Sequence, residues 1–277
     1  MLGAAILTIA LLAGLISVFL TGRTPKPQPV KMINTVSSDS IIIINDSLVP
    51  PVIYKKMPDL TELSIKKRKH TFMNVMLPTI LTAKEIIEEH RQSLLHLKKK
   101  KGYNADDSLF IQKMKKRLRS DDIDEMIHRL HPQPVSIILA QTAIESGWGT
   151  SRFCREANNL FGIWSFSASD KRIAAAVQRN DKTIYLKKYD SLTESLIDYL
   201  YTIGRSTAFI KFREIRAKSQ NTYRLIWFLD KYSEKRMSYI VTLRNTIEKN
   251  DLTKFDSYRL MKVNKSDSTW TKLIEKY

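Results

Sequence analysis

Residues 163–191 interrupt a chain that is otherwise patterned for helices. The stretch, IWSFSASDKRIAAAVQRNDKTIYLKKYDS, contains Ser and Asp turn residues and alternates apolar with polar positions. This pattern predicts two or three short strands, with a hairpin around Arg179 to Lys182. Apolar residues at helical spacing precede the stretch from Lys66 and resume after Ser191. The chain is therefore predicted to be α+β and mainly helical, with a small β insert.

Several local signals mark the ends of the predicted helices. Ser191 followed by Glu194 is a capping-box sequence and predicts a helix start. Pro134 is placed to begin the helix that carries Glu145. Pro78 is expected to kink the long helix before it, or to end its first part, because proline lacks the amide donor of a helix interior.

The first residues of the chain are strongly apolar. Residues 2–20 contain no charged side chain and are long enough to span a bilayer. We predict an export signal peptide or a membrane anchor over residues 1–22. The basic residues that follow favour the cytoplasm for the C-terminal side, which argues against export. Residues 23–65 are rich in Pro, Ser and Asn, and this composition predicts a linker.

The charge and the cysteine count exclude some functions. Lys and Arg total 46 against 28 acids, a net charge of +18 that favours a polyanionic partner such as nucleic acid or an anionic cell envelope. Cys154 is the one cysteine, so an internal disulfide and a multi-cysteine metal site are excluded, and a small buried apolar role is expected for it. The histidines form neither HExxH nor a pair four residues apart. We therefore expect no metal and no cofactor.

Glu145 stands out because it follows an apolar helical run. On a helical period it shares a stripe with Ile138, Gln141, Thr142 and Gly149, and Ile138 indicates that part of this stripe faces the interior. Glu145 would then lie at the edge of the core, where burial raises the pKa of a carboxyl. A carboxylic acid still protonated near neutral pH suits the cleavage of a glycosidic bond. A solvated helix glutamate is the alternative.

The residues around Glu145 resemble a known family. IESGWGTSRF and NNLFGIW are similar to the glucosaminidase family of peptidoglycan hydrolases, glycoside hydrolase family 73, in its Bax-type branch. Further similar segments follow in the same order over about residues 66–255: KKRKHTFMNVMLPTILTAKEIIEEHRQSLLHL, YLKKYDSLTESLIDYL and YSEKRMSYIVTLRNTIEKNDL. The resemblance implies a lysozyme-like fold with a small β-lobe. It also implies an N-terminal helical extension over residues 66–130, a glucosaminidase domain over 131–255 and a C-terminal tail over 256–277.

The resemblance implies roles for particular residues. Glu145 matches the catalytic general acid. Tyr189 and Tyr239 match family tyrosines near the cleft; Tyr239 is the better candidate to orient substrate or a water, and Tyr232 is a second candidate. The sequence YSEKRM before Tyr239 departs from the commoner family pattern Tyr-Ala-Thr-Asp-Pro.

Three residues near Glu145 are candidates for substrate binding. Trp148 and Phe161 each provide either a core contact or a face on which a sugar stacks. By the same resemblance, Asn159 matches the motif that closes the cleft behind the acid, where its side chain is expected to hydrogen-bond to backbone.

The group that completes the reaction stays open at this point. Asp170, Asp181 and Asp190 lie in or beside the β insert, and Asp181 is the candidate base, although each is also typical of a turn. The N-acetyl group of the substrate is an alternative nucleophile that requires no second protein carboxylate.

The resemblance implies an endo-β-N-acetylglucosaminidase that cleaves peptidoglycan glycan strands after N-acetylglucosamine. A lytic transglycosylase or muramidase of the same fold, or a catalytically silent wall-binding protein, are the alternatives. The expected location is the periplasm or cell envelope, with an anionic envelope surface as neighbour. Peptidoglycan lies outside the cytoplasmic membrane, so this substrate overrules the charge bias and export by residues 2–20 is expected. Residues 2–20, if uncleaved, would anchor the chain to the inner membrane. No nucleic acid partner is expected, because the sequence contains no recognised nucleic-acid motif.

Overall fold

The structure is a computed structural model that describes residues 26–34, 40–179 and 182–277. It is mainly helical, in agreement with the predicted α+β class. In chain order, the α-helices of the described residues are α1 (Ile65–Lys99), α2 (Ala105–Leu118), α3 (Ile123–Arg129), α4 (Val135–Ser146), α5 (Arg152–Ala157), α6 (Leu192–Arg205), α7 (Ile210–Arg216), α8 (Thr222–Leu225), α9 (Met237–Lys249) and α10 (Ser268–Lys276). Short 3₁₀ helices cover Thr207–Phe209, Ile226–Tyr232 and Leu252–Ser257.

The strands of the described residues pair two by two. They are β1 (Lys31–Ile33), β2 (Leu48–Val49), β3 (Val52–Tyr54), β4 (Arg172–Arg179), β5 (Lys182–Lys187) and β6 (Arg259–Leu260). β1 pairs with β3 and β2 with β6, both in parallel, whereas β4 and β5 form an antiparallel hairpin. Arg179 lies opposite Lys182 in this hairpin, which confirms the predicted position of the β insert.

Two helices organise the core. α1 packs against β3, α3, α4 and α6, and α4 also packs against α9 and the 3₁₀ helix Leu252–Ser257. Every residue of α4 from Val135 to Ala143 is buried, because its sequence is apolar on nearly all sides and has no face suited to water. The buried apolar residues form one cluster that includes residues from α1 and from α4. The segment predicted as an N-terminal extension therefore shares its core with the region that carries Glu145.

Residues 23–65 are predicted to be a linker, but the described part of this segment is packed into the folded protein. Val49, Val52, Ile53 and Tyr54 are buried, and β3 packs against α1. The Tyr54 hydroxyl accepts a hydrogen bond from the amide of Ile42 at 3.0 Å. The composition of this segment indicates turns, but its short apolar runs form β1 and β3, which pair with each other, and β2, whose partner β6 lies near the end of the chain.

The predicted C-terminal tail also belongs to the folded core. β6 pairs with β2, and α10 buries Trp270, which is 1% exposed and donates from Nε1 to Glu89 on α1 at 3.2 Å. Asp267 caps α10 by accepting from the amides of Thr269 and Trp270. The segment is short and rich in charged residues, so its sequence does not indicate that one face of the helix, with Trp270 and Leu273, is buried.

Local helix signals have mixed outcomes. α4 begins directly after Pro134, and the Ser191 hydroxyl accepts from the amide of Glu194 at 3.3 Å, as predicted. α1 runs through Pro78 without ending there. Pro78 is buried, and we infer that tertiary packing holds the helix where local propensity disfavours it.

Residues 1–22, predicted as a signal peptide or membrane anchor, lie outside the described residues. Within residues 26–34, 40–179 and 182–277, no helix has both the length and the apolar character needed to cross a membrane.

Replacing Trp270 by Ala should lower the free energy of unfolding by about 3–5 kcal/mol, since it removes a large buried side chain from the contact between α10 and α1. Urea denaturation followed by circular dichroism measures this loss. Lys272→Ala changes an exposed position of the same helix and should alter stability by less than about 0.5 kcal/mol. Equal denaturation midpoints for the two variants would contradict a stabilising role for α10.

Candidate active site

The end of α4 positions Glu145. Glu145 lies in the last turn of the helix and is half-buried. The helix stops at Gly147, whose φ of 59° is left-handed and whose amide donates to Ala143 and Ile144 carbonyls. The Trp148 amide also donates to the Ala143 carbonyl, at 2.8 Å. This turn leaves the Glu145 side chain at the rim of the core rather than inside it.

The turn after Glu145 is fixed by contacts on both sides. The Ser146 hydroxyl donates to the Thr142 carbonyl at 2.6 Å and accepts from the Gly149 amide at 2.9 Å. Gly149 has a φ of 83°, and a Cβ there would lie 3.1 Å from Met57 and 3.2 Å from Leu60. Glycine meets both the conformation and the close approach without strain. The N-terminal segment of the chain thus supports the turn that carries the acid.

The other end of α4 is capped from a distant part of the chain. Pro134 offers no side-chain cap, and the carboxylate of Asp256 instead accepts from the Ser136 amide at 2.7 Å and the Ser136 hydroxyl at 2.8 Å. Thr222 donates to the same carboxylate at 2.9 Å. A negative charge at a helix N-terminus is favourable, so Asp256 fixes α4 at the end opposite Glu145.

The surroundings of Glu145 favour its protonated form. Burial raises the pKa of the Glu145 carboxyl above its usual range. The Tyr239 hydroxyl beside the carboxyl and the positive charge of Lys235 act in the opposite direction and offset part of this rise. The negative end of the α4 dipole also disfavours an anion in the last turn. The net direction is a raised pKa, as the position at the core edge predicts.

Three tyrosines gather around Glu145. Tyr239 on α9 stacks on Tyr232, with ring centroids 5.3 Å apart, and Tyr232 meets the ring of Tyr199 on α6 edge-on at 6.4 Å. Burial raises the pKa of all three phenols, and the charge of Glu145 adds to the rise in each. These hydroxyls therefore stay protonated and act as neutral hydrogen-bonding groups at any ordinary pH.

A buried hydrogen-bonded chain leads away from Tyr239. Gln141, one turn before Glu145 on α4, donates from Nε2 to the Tyr239 hydroxyl at 3.2 Å. The Tyr199 hydroxyl donates to Gln141 Oε1 at 2.6 Å and accepts from Gln133 Nε2 at 2.9 Å. Gln133, Gln141 and Tyr199 are each at most 2% exposed, so this chain is screened from water.

The aromatic candidates Trp148 and Phe161 are both half-buried. Trp148 packs edge-on against Phe72 of α1 at 5.5 Å, and the Lys69 ammonium lies 4.8 Å from the centre of its ring. Phe161 stacks on Tyr199 with ring centroids 4.1 Å apart and planes 11° from parallel. Each ring therefore supports the framework of the site through one of its sides.

Asn159 and Tyr189 use their polar groups within the protein. Asn159 Nδ2 donates to the carbonyls of Ile163 and Lys187, and its Oδ1 accepts from the Ile163 amide, all at 2.9 Å. This confirms the expected bonding of Asn159 to backbone. The buried Tyr189 hydroxyl donates to Asp198 at 2.9 Å, so it is directed into the protein and not toward Glu145.

Two of the three candidate second carboxylates are described by the structure, and both contact other side chains. Asp181 lies outside the described residues. Asp170 accepts from the Ser165 hydroxyl at 2.9 Å, in the turn before β4, and Asp190 pairs with Lys171 at 2.7 Å. In the described part of the chain, the group whose charge acts on the pKa of Glu145 is Lys235, a cation.

Neither a metal site nor a reactive thiol is found in the described ranges. No group of three His, Cys, Asp or Glu side chains there is placed to hold a metal ion. Cys154 is buried, as predicted, and burial raises the pKa of its thiol to about 12.

Three residues of the site have no predicted role from the sequence. Gln141 shares the helical stripe of Glu145, and that spacing was a usable signal. Lys235 lies in YSEKRM, the segment that departs from the commoner family pattern. Tyr199 carries no local signal, because its place beside Gln141 depends on how α6 packs against the other helices.

Comparisons with known proteins agree with the motifs. Residues 120–252 match the Glucosaminidase family, described as mannosyl-glycoprotein endo-beta-N-acetylglucosaminidase. Protein bax of Escherichia coli (strain K12) is 25% identical over 198 residues, which cover 66% of this chain and 70% of that protein.

Two solved structures are also similar. The catalytic domain of the autolysin Auto from Listeria monocytogenes has 21% identity and a TM-score of 0.39, covering 61% of this chain and 97% of that one. A peptidoglycan hydrolase from Sphingomonas sp. A1 has 23% identity and a TM-score of 0.36, covering 52% and 85%.

The family match contains Glu145, the β4–β5 hairpin and Tyr239. It confirms the resemblance derived from the motifs around Glu145, and the enzyme class with it: the protein is a glycoside hydrolase.

Removing the charge of Lys235 should raise the pKa of Glu145 further, because that charge favours the carboxylate. We expect Lys235→Ala to move the carboxyl titration of Glu145 to higher pH, as measured by carbon-13 NMR. Lys231→Ala removes another exposed lysine of the same region and should leave the titration in place. A titration that moves to lower pH in Lys235→Ala would contradict the electrostatic role of Lys235.

Proposed function

We propose that this glycoside hydrolase cleaves the glycan strands of peptidoglycan and that Glu145 donates the proton to the leaving oxygen. One observation carries the proposal: Glu145 is a half-buried carboxyl with a raised pKa, set among three tyrosines, in the region that matches the glucosaminidase family. A donor with a raised pKa keeps its proton at a pH where ordinary carboxyls are ionised.

The proposed bond is the one that follows N-acetylglucosamine. The description of the matching family, an endo-β-N-acetylglucosaminidase, supports this choice, and so does the resemblance of the segments around Glu145. Tyr239 is proposed to orient substrate or a water. Tyr232 is proposed to contact substrate beside it. The exposed sides of Trp148 and Phe161 are proposed as faces for sugar rings.

The second step of the reaction has two proposed routes. In one, the substrate's own N-acetyl oxygen attacks the anomeric carbon after Glu145 protonates the leaving group. In the other, Asp181 of the β-lobe activates a water. The engagement of Asp170 and Asp190 with other side chains supports restricting the choice to these two routes.

The envelope is the proposed place of action. Residues 2–20 are proposed to direct export or to anchor the protein to the membrane, and the net charge of +18 suits an anionic envelope. Assays should keep residues 26–65, because Met57 and Leu60 pack against Gly149 in the turn beside Glu145.

Glu145→Gln should lower the rate of peptidoglycan hydrolysis by about 10²–10⁴-fold, because the amide keeps the shape of the side chain but cannot release a proton. The wild-type rate should fall as the pH rises through the raised pKa of Glu145, since the donor is then ionised. Release of soluble fragments from purified peptidoglycan measures both effects, and the melting temperature checks that the variant folds. A fully active Glu145→Gln would exclude Glu145 as the acid, and a protein inactive in both forms would favour a silent wall-binding role.

The fragments of a wild-type digest should carry N-acetylglucosamine at their reducing ends. Mass spectrometry before and after borohydride reduction identifies the terminal sugar. Anhydro-muramyl ends would instead indicate a lytic transglycosylase, and reducing-end muramic acid would indicate a muramidase.

A further inference from the structure

A buried arginine stands at the far end of the hydrogen-bonded chain that leads from Tyr239. Arg216 on α7 is 2% exposed; its Nη1 donates to Gln133 Oε1 at 3.3 Å and its Nη2 to the Arg129 carbonyl at 3.0 Å. Both partners are neutral oxygens. Burial lowers the pKa of Arg216 to about 9, which still leaves the guanidinium charged at neutral pH.

Arg216 fixes the direction of every bond in this chain. A guanidinium has donors and no acceptor, so Gln133 must present Oε1 to it and Nε2 to Tyr199. The Tyr199 hydroxyl, already accepting from Gln133, must give its one hydrogen to Gln141 Oε1. Gln141 then has Nε2 facing Tyr239. The orientations of the Gln133 and Gln141 side-chain amides therefore follow from Arg216, which can only donate hydrogen bonds.

This direction has a consequence at the acid. The Tyr239 oxygen accepts from Gln141, so its own hydrogen is free for the Glu145 carboxyl beside it. We infer that Arg216, Gln133, Tyr199 and Gln141 are positioning residues that act through Tyr239, making it a permanent hydrogen-bond donor to Glu145. The inference rests on the proposed role of Glu145 for its functional meaning, but the hydrogen-bond direction stands on these contacts.

A fixed donor serves an acid that must lose and regain a proton. In this arrangement one carboxyl oxygen of Glu145 would accept from Tyr239, and the other oxygen would carry the proton toward the leaving group. The same bond stabilises the carboxylate formed after transfer. Without Tyr199, the Gln141 amide can rotate and accept from Tyr239, which withdraws that hydrogen from Glu145.

The charged and titratable groups facing Glu145 come from several elements. Tyr239 faces it from α9, Tyr232 from the 3₁₀ helix Ile226–Tyr232, Tyr199 from α6 and Lys235 from the segment before α9. Tyr239 and Lys235 both favour the charged carboxylate. Loss of the Tyr239 hydrogen should therefore raise the pKa of Glu145 and move the alkaline limb of the pH–rate profile to higher pH.

Tyr199→Phe tests the inference directly. The ring keeps its stacking on Phe161, and only the hydroxyl that joins Gln133 to Gln141 is lost. We expect the carboxyl titration of Glu145 and the alkaline limb of kcat/KM to move to higher pH, with kcat roughly tenfold lower and KM changed less than about twofold. The titration, followed by carbon-13 NMR, requires no substrate.

Tyr201→Phe is the matched control. It removes the hydroxyl of another buried tyrosine of α6, whose partners are different: His90 at 2.7 Å, the Met114 sulfur and the Tyr277 carbonyl. It should lower the melting temperature without moving the titration of Glu145. An unmoved titration in Tyr199→Phe, or an equal movement in Tyr201→Phe, would overturn the inference.

Arg216 variants test the origin of the direction. Arg216→Lys keeps a group that can only donate and should retain the wild-type alkaline limb, whereas Arg216→Met should reproduce the displacement of Tyr199→Phe. If Arg216→Met does not fold, the two tyrosine variants decide the question. Glu145→Gln separates the two proposals. If this variant stays active, Glu145 is not the acid. If the titration of the Glu145 carboxyl does not move in Tyr199→Phe, only the inference about the hydrogen-bonded chain is refuted.

Discussion

The burial of α4 from Val135 to Ala143 is the constraint on which the rest of the structure depends. A helix that is apolar on nearly all sides must be surrounded, and α1, α9 and the 3₁₀ helix Leu252–Ser257 surround it. Its polar ends then need partners inside the protein: Asp256 caps the first turn, and Gly147 ends the last one. The acid lies at the one end of α4 that reaches the surface of the core. The position of Glu145 therefore follows from packing, and its raised pKa follows from the position.

Burial also explains why the polar residues of α4 are organised rather than scattered. Gln141 is enclosed, and an enclosed amide costs free energy unless its donor and its acceptor are both satisfied. Tyr199 and Tyr239 satisfy them from α6 and α9. The side chains that meet this structural requirement are the ones that reach Glu145. Stability and the geometry of the site are thus served by the same contacts.

The sequence predicts those parts of the molecule that depend on local patterns. The start of α4 at Pro134, the hairpin between Arg179 and Lys182, and the half-buried carboxyl of Glu145 all follow from spacing and turn chemistry within a few residues. The parallel pairing of β2 with β6 joins segments some two hundred residues apart, and no local pattern encodes it. Tyr199 escapes prediction for the same reason, since its role depends on the packing of α6. Family resemblance locates Tyr239 but says nothing of the amide that orients it.

A buried cation without a carboxylate partner is costly, and Arg216 is such a cation within the described residues. A neutral residue of similar length would fill the same space at a lower desolvation cost. An apolar residue would offer Gln133 no donor, and a neutral amide could also accept; either would allow Gln133 to reverse, and with it every hydrogen bond up to Tyr239. In return for the cost of burying Arg216, the protein gains one fixed set of hydrogen-bond directions. This set runs from Arg216 to Tyr239, beside Glu145. In this protein the acid and the residue that fixes its hydrogen-bond donor lie at opposite ends of α4, joined by side chains that run along it.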